Sequence, residues 1–283
     1  MKYFREKKTK FGDDFLDVDI FEMSDDWSPP EKRAKRKKIT PPHIIAANDR
    51  HSKNHLRQLI VHNFGAGDLY ITPTYSGEPP GLEDARREMT NYIRRLTRLY
   101  AKYDIELRAI WVTEGGRKKS DGTFTRIHHH LVINSGVPRE AIEEAWRGKP
   151  KGKAYTRGFC NAAMISPAED ERGCERIAEY MAKSRTKTLG KGLRRWNATR
   201  NIKRPTETTI DNKLSKRRTA ELLEEGEKLA ELIAAKKAVR EEGTERLRRI
   251  LSNRYGREVI DVLASVNSFN NRVYISARFR RKE

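Results

Sequence analysis

The sequence has few cysteines and no apolar run long enough to span a membrane. Only Cys160 and Cys174 occur, without a Cys-x-x-Cys pair. We therefore expect neither a disulfide framework nor a cysteine-based zinc site, and a reducing compartment fits. The apolar runs fall short of a transmembrane helix, and the basic N-terminus lacks the apolar core of a signal peptide. These absences predict a cytoplasmic protein that does not bind a membrane.

Acidic residues are also few relative to basic ones. The 283 residues include 60 lysines and arginines against 40 aspartates and glutamates, a formal net charge of +20. Such an excess costs self-repulsion and commonly accompanies a polyanionic partner, which in the cytoplasm is mainly nucleic acid. Composition alone leaves a second interpretation open, that of a soluble and highly charged protein without such a partner.

Three regions differ in composition. Residues 1–42 are typical of a basic, flexible arm with six basic residues in eight at 31–38; that cluster fits phosphate binding and equally fits a solvated tail. Residues 43–205 have the mixed periodicity of an α+β unit. Residues 206–283 predict a helical C-terminal region with breaks at Gly226 and Gly243, and the alternation at 272–280 fits a final strand.

The middle region predicts strands and helices in turn. Apolar residues three or four apart favour a helix at 82–103, and Val137-Pro138 opens a short helix that runs to Trp146. Ser166-Pro167, followed by acidic residues, predicts the start of a helix over 168–184. β-Branched and alternating residues favour strands at 69–76, 105–114, 127–134 and 154–165.

Three consecutive histidines lie in the predicted strand 127–134. Because side chains alternate across a strand, His128 and His130 point to one face and could bind one cation, while His129 joins the other face. Glu114 ends the preceding strand, and an antiparallel hairpin would bring its carboxylate to both imidazoles. Such a set leaves coordination positions open, as a catalytic divalent ion requires. The competing interpretation is a partly exposed His-rich strand beside an ordinary surface glutamate.

Tyr180 lies in the predicted helix 168–184, away from its apolar face, and Lys183 follows one turn later. A phenol with an ordinary pKa near 10 is a weak nucleophile until a neighbouring cation or a polarised substrate activates it. A half-buried tyrosine that anchors the helix is the competing interpretation. The apolar face of this helix is formed by Cys174, Ile177, Ala178 and Met181.

A basic stretch at 194–204 contains a single aromatic residue, Trp196. Cations around an aromatic ring suit single-stranded DNA, with phosphates on the cations and a base on the indole. Trp196 fits a core position beneath a basic loop equally well. The cations are Arg194, Arg195, Arg200, Lys203 and Arg204.

The order of these motifs resembles the HUH endonucleases, and among them the rolling-circle replication initiators of phages and plasmids, the filamentous-phage gene II type included. The stretches that carry the resemblance are YITPTYS (70–76), Glu114 with IHHHLVIN (127–134), and EYMAK (179–183). RRWNATRNIKRP (194–205) is also similar to a basic-aromatic stretch of that family. The resemblance covers about residues 43–205.

The resemblance implies a central antiparallel sheet of about five strands flanked by helices. It also implies that Tyr180 attacks single-stranded or origin DNA and forms a 5′-phosphotyrosine link, with Lys183 as helper. His128, His130 and Glu114 would hold Mg²⁺ or Mn²⁺. Because the sequence has no Walker A motif, we expect any helicase to come from the host.

Two other functions remain open on the sequence. One is a mobilisation relaxase, which uses the same chemistry for conjugative transfer. The other is a non-enzymatic DNA-binding regulator, in which the histidines and the tyrosine would be structural. Metal-dependent covalent attachment of labelled single-stranded DNA would distinguish either enzyme from the regulator.

Overall fold

The computed structural model describes residues 2–24, 42–115, 125–148, 150–182, 196–211, 216–234, 244–267 and 272–282. The chain divides into two compact units. One is Thr40–Arg204, and the other combines Met1–Ile39 with Pro205–Glu283.

The unit Thr40–Arg204 is built on a five-stranded antiparallel sheet, in the spatial order β6-β3-β5-β4-β7. Helices flank this sheet, so the predicted α+β class with a central five-stranded sheet is confirmed. Its strands are β3 (Leu69–Ser76), β4 (Ala109–Glu114), β5 (His128–Ile133), β6 (Thr156–Met164) and β7 (Asn197–Ala198). Its helices are α1 (Pro42–Asn63), α2 (Leu82–Ala101), α3 (Arg139–Glu144), α4 (Pro167–Glu171) and α5 (Glu175–Ala182).

One face of this sheet carries the main hydrophobic core of the unit. Alternate residues of β3, such as Ile71 and Tyr75, point into that core, and so does Leu131 of β5. The predicted apolar face of α2 covers them, and the indole of Trp146 donates to the carbonyl of Thr74 at 2.8 Å. The opposite face of the sheet is left for other side chains, because a strand presents successive residues to opposite sides.

The helix predicted over 168–184 is instead two helices, and the prediction was wrong about its continuity. Gly173 and Cys174 both have positive φ, 66° and 52°, which ends α4. The buried carboxylate of Glu169 then accepts the backbone N–H groups of Arg176 at 3.0 Å and Ile177 at 3.4 Å. Glu169 therefore caps the start of α5 and fixes its direction.

The unit made of Met1–Ile39 and Pro205–Glu283 contains a second five-stranded antiparallel sheet, in the order β8-β1-β2-β10-β9. Two helices pack their apolar residues, Leu222 and Leu251 among them, against one face of it. The strands are β1 (Lys2–Phe11), β2 (Phe15–Ser24), β8 (Thr206–Asp211), β9 (Arg257–Asn267) and β10 (Arg272–Arg281), and the helices are α6 (Lys216–Ala234) and α7 (Glu245–Tyr255).

Two expectations for this unit were wrong in part. Residues 2–24, expected within a flexible arm, form the hairpin β1–β2, in which Leu16, Val18 and Ile20 are buried. Helix α6 continues through Gly226, because a side chain there would come within 2.6 Å of Ile275. Glycine at this position lets the helix approach the sheet closely. The strand expected near the C-terminus is confirmed as β10, whereas the basic cluster 31–38 and Gly243 lie outside the described residues.

Candidate metal centre and nucleophile

Glu114, His128 and His130 come together on the sheet face opposite the main core. In the β4–β5 pairing, Glu114 lies opposite His128 and Val112 lies opposite His130. The Glu114 Oε2 atom is 3.6 Å from Nε2 of His128 and 3.5 Å from Nε2 of His130. One ligand atom from each residue lies within 4.8 Å of the others, so the group could hold a metal ion.

Both imidazoles are oriented by hydrogen bonds at their Nδ1 atoms. Nδ1 of His128 is 3.0 Å from the carbonyl oxygen of Arg126, which can only accept, so this nitrogen carries the proton. Nδ1 of His130 is 2.7 Å from the hydroxyl of Tyr70 and 3.5 Å from that of Thr72. Each ring therefore presents Nε2 towards Glu114, and in neutral His128 this atom has a free lone pair.

The group is electrostatically coupled. The interaction with His128, and next with His130, lowers the pKa of Glu114 to about 2, although partial burial opposes the shift. Glu114 raises the pKa of His128 in turn. The carboxylate is therefore ionised at neutral pH and offers a negative charge to any cation that binds the two rings.

His129 faces the main core, as strand alternation predicts, and is completely buried. Its Nε2 lies 2.8 Å from the Tyr75 hydroxyl, and its Nδ1 lies 3.0 Å from the Thr113 hydroxyl. Burial, above all, lowers the pKa of His129 to about 3. The ring is therefore neutral, with one nitrogen donating and one accepting.

Tyr180 lies near the candidate metal group. It is 53% exposed, and its ring centroid is 6.4 Å from that of His130. The opposite side of α5 buries Ile177 and Met181, and Glu179 forms an ion pair of 2.7 Å with Lys53 of α1. Tyr180 is consequently not a core residue. Lys183, its predicted helper, lies outside the described residues.

The basic-aromatic stretch is described from Trp196 onward, so Arg194 and Arg195 lie outside the described residues. Trp196 is half-buried, and its ring centroid is 5.8 Å from that of His55. Arg200, Lys203 and Arg204 are exposed. The following turn is held by Asn63, which exchanges two backbone hydrogen bonds of 2.8 Å with Lys203. Trp196 is therefore not the fully buried core residue that was one of the two interpretations.

Tyr70 was not singled out from the sequence, although it stands in the stretch 70–76 that carried the family resemblance. It belongs to β3 and contacts His130 across the sheet, with ring centroids 5.8 Å apart and an interplanar angle of 7°. Burial, above all, raises the pKa of Tyr70 to about 12. A neutral phenol at this position can exchange its hydrogen bond with His130 throughout the physiological pH range.

The comparisons with known proteins give one match. The model of a family of replication-associated proteins, which is described by the ORF2 and gene II proteins, matches residues 68–188. The matched residues include Glu114, both candidate histidine ligands and Tyr180. No curated protein and no solved structure matches the chain significantly. The similarity supports a role in DNA replication with DNA as the partner. Among the described helices, none combines the length and apolarity needed to cross a membrane.

Proposed function

We propose that this chain is a metal-dependent, single-tyrosine DNA nickase and strand transferase of the HUH type that initiates rolling-circle replication. The observation that carries the proposal is the exposed hydroxyphenyl side chain of Tyr180 beside the group Glu114, His128 and His130. The similarity to replication-associated proteins covers the same residues. A tyrosine near a cation site is the minimum that this chemistry requires.

The residues present fit a divalent ion. Two imidazole nitrogens and one carboxylate oxygen are suitable donors for Mn²⁺, and Mg²⁺ favours the carboxylate. The Nδ1 hydrogen bonds of His128 and His130 leave both Nε2 atoms facing Glu114. When bound, such an ion would neutralise charge on the non-bridging oxygens of a phosphodiester.

Tyr180 would act as the nucleophile. Its phenolic oxygen forms a bond to phosphorus while the bond from phosphorus to the 3′ oxygen breaks. The phenolic proton is lost, and the 3′ oxygen gains a proton to become a free hydroxyl. Attack by a 3′ hydroxyl on the phosphotyrosine reverses these changes, so the strand can be rejoined without ATP. Lys183 is proposed to favour the phenolate.

The partner would be single-stranded or origin DNA. Arg200, Lys203 and Arg204 are exposed cations close to half-buried Trp196, and we assign them, with Arg194 and Arg195, to phosphate binding. Phosphate contacts of this kind position the strand without reading its sequence. A host helicase would open the duplex.

The deciding experiment uses labelled single-stranded oligonucleotides with a randomised centre, so that no origin sequence is assumed. The wild-type chain should form a denaturation-resistant adduct with Mg²⁺ or Mn²⁺ and none with chelator. The Tyr180→Phe variant should bind the oligonucleotides and form no adduct. Tyr103→Phe, which changes another exposed tyrosine, is the matched control and should retain the adduct.

Mass spectrometry of the wild-type adduct should place the nucleotide on the peptide that contains Tyr180. A normal rate of adduct formation by Tyr180→Phe would show that another residue is the nucleophile. Metal-dependent binding without any adduct in the wild type would favour the regulator over the enzyme.

A further inference from the structure

β6 is an edge strand of the sheet in the unit Thr40–Arg204, and it exposes an aromatic residue. Phe159 is 68% exposed. Its neighbours Cys160 and Ala162 are buried in the main core, whereas Asn161 and Ala163 are exposed. Alternation therefore places Phe159, Asn161 and Ala163 on the face opposite that core.

That face is the one that carries the candidate metal group. Thr72 of β3 lies opposite Asn161 of β6, and on its other side its hydroxyl is 3.5 Å from Nδ1 of His130. Asn161, Thr72 and His130 thus form one row across the sheet. Phe159 lies in the next row, beyond Thr74, on the side of His128. Two strand spacings, roughly 10 Å in total, separate β6 from β5.

A β-bulge fixes the position of Phe159. The register between β3 and β6 shifts between Pro73 and Tyr75, so that Gly158 and Phe159 together oppose Thr74. The Thr74 hydroxyl donates to the carbonyl oxygen of Phe159 at 2.8 Å. A side chain at position 158 would come within 2.6 Å of the Ser76 backbone nitrogen, so glycine is required there. Bulges of this kind re-aim a side chain, often next to a functional site.

We infer that Phe159 is a stacking platform for one base of the single-stranded DNA, close to the phosphate held at the metal group. This inference rests on the proposed function for the identity of the ligand. A base has two apolar faces, and stacking on an exposed ring tolerates any base identity. The half-buried Thr72 and Thr74 lie between the ring and the metal group and leave polar space for the backbone of the strand.

The test separates base contacts from phosphate contacts. Fluorescence anisotropy would measure binding of labelled oligodeoxythymidine and of an abasic oligonucleotide of equal length, with chelator present so that no cleavage occurs. Phe159→Ala should weaken binding of the thymidine probe by about 5-fold to about 100-fold, the range for loss of one stacked base. Binding of the abasic probe should not change.

Matched variants make the comparison specific. Phe159→Trp should retain the affinity for the thymidine probe, and Phe159→Leu should not, because leucine keeps apolar area without a flat ring. Met164→Ala is the control: Met164 is 72% exposed on the same strand but pairs with the core-facing Leu69. It should leave both affinities unchanged.

Three results would overturn the inference. They are an unchanged affinity in Phe159→Ala, an equal loss for the abasic probe, and a change in oligomeric state without a base-specific loss. The last would identify β6 as an edge that pairs with a second copy of the chain. A base-specific loss in a chain that never forms the covalent adduct would contradict the proposed function and leave the stacking site standing.

Discussion

Replacing His129 by leucine tests how the metal-bearing strand is held from behind. The His129 ring is completely buried and links the hydroxyls of Tyr75 and Thr113. Leucine has a similar size but cannot form either hydrogen bond. Tyr75 is itself only 2% exposed, so water cannot readily replace the lost partner.

The magnitude follows from the buried hydroxyl of Tyr75. A buried polar group that loses its partner costs about 1–3 kcal/mol, whereas removing both partners together is close to neutral. His129→Leu should therefore lower the free energy of unfolding of its unit by about 1–3 kcal/mol. The double variant His129→Leu/Tyr75→Phe should recover most of that loss.

Urea unfolding followed by tryptophan fluorescence is a suitable assay. Trp146 is buried, and its ring contacts those of both His129 and Tyr75 at centroid distances of 5.5 Å. Because the leucine points away from the metal group, Mn²⁺ affinity of the folded variant should match the wild type. Wild-type stability in His129→Leu, or no recovery in the double variant, would refute the assigned network.

Four further predictions concern other parts of the chain. Tyr70→Phe should weaken Mn²⁺ binding measurably, about 10-fold or more, because the ring of His130 loses its orienting hydrogen bond; unchanged affinity would dismiss Tyr70 as a positioning residue. Glu114→Gln should raise the Mn²⁺ concentration needed for cleavage, whereas loss of activity at every concentration would indicate a general base instead. Burial alone would raise the pKa of Glu6, but hydrogen bonds from Lys8 and Arg254 outweigh it and lower that pKa. Its stabilising contribution is thus complete above the ordinary carboxyl range and lost as pH falls through it, so the stability difference between wild type and Glu6→Gln should vanish in acid. Neutralising the basic residues of 31–38 should flatten the salt dependence of DNA binding, and an unchanged slope would show that they contact no phosphate.

The local part of the site could be predicted from the sequence. Alternation places His128 and His130 on one face, and a hairpin brings Glu114 beside them, because both depend only on neighbouring strands. Tyr70 could not be assigned in the same way. It lies 60 residues from His130 in the chain, and the sequence does not reveal that β3 is the strand adjacent to β5.

The N-terminal hairpin was missed for a different reason. Leu16, Val18 and Ile20 alternate as a half-buried strand should, and Gly12 with a positive φ of 56° marks the turn before them. The charged residues around this pattern suggested a solvated arm. Many of these charges are in fact paired across the sheet, as Arg5 with Asp211 at 2.8 Å and Lys7 with Glu207 at 3.1 Å.

The break before α5 explains how Tyr180 can be both exposed and fixed. One continuous helix over 168–184 would give the tyrosine the direction set by the start of α4. The positive φ angles of Gly173 and Cys174 instead allow α5 to start afresh, with Glu169 capping it. The cap and the buried Ile177 and Met181 hold the helix from its other sides. Because none of these contacts uses the Tyr180 ring, that side chain can face an incoming strand at little cost to stability.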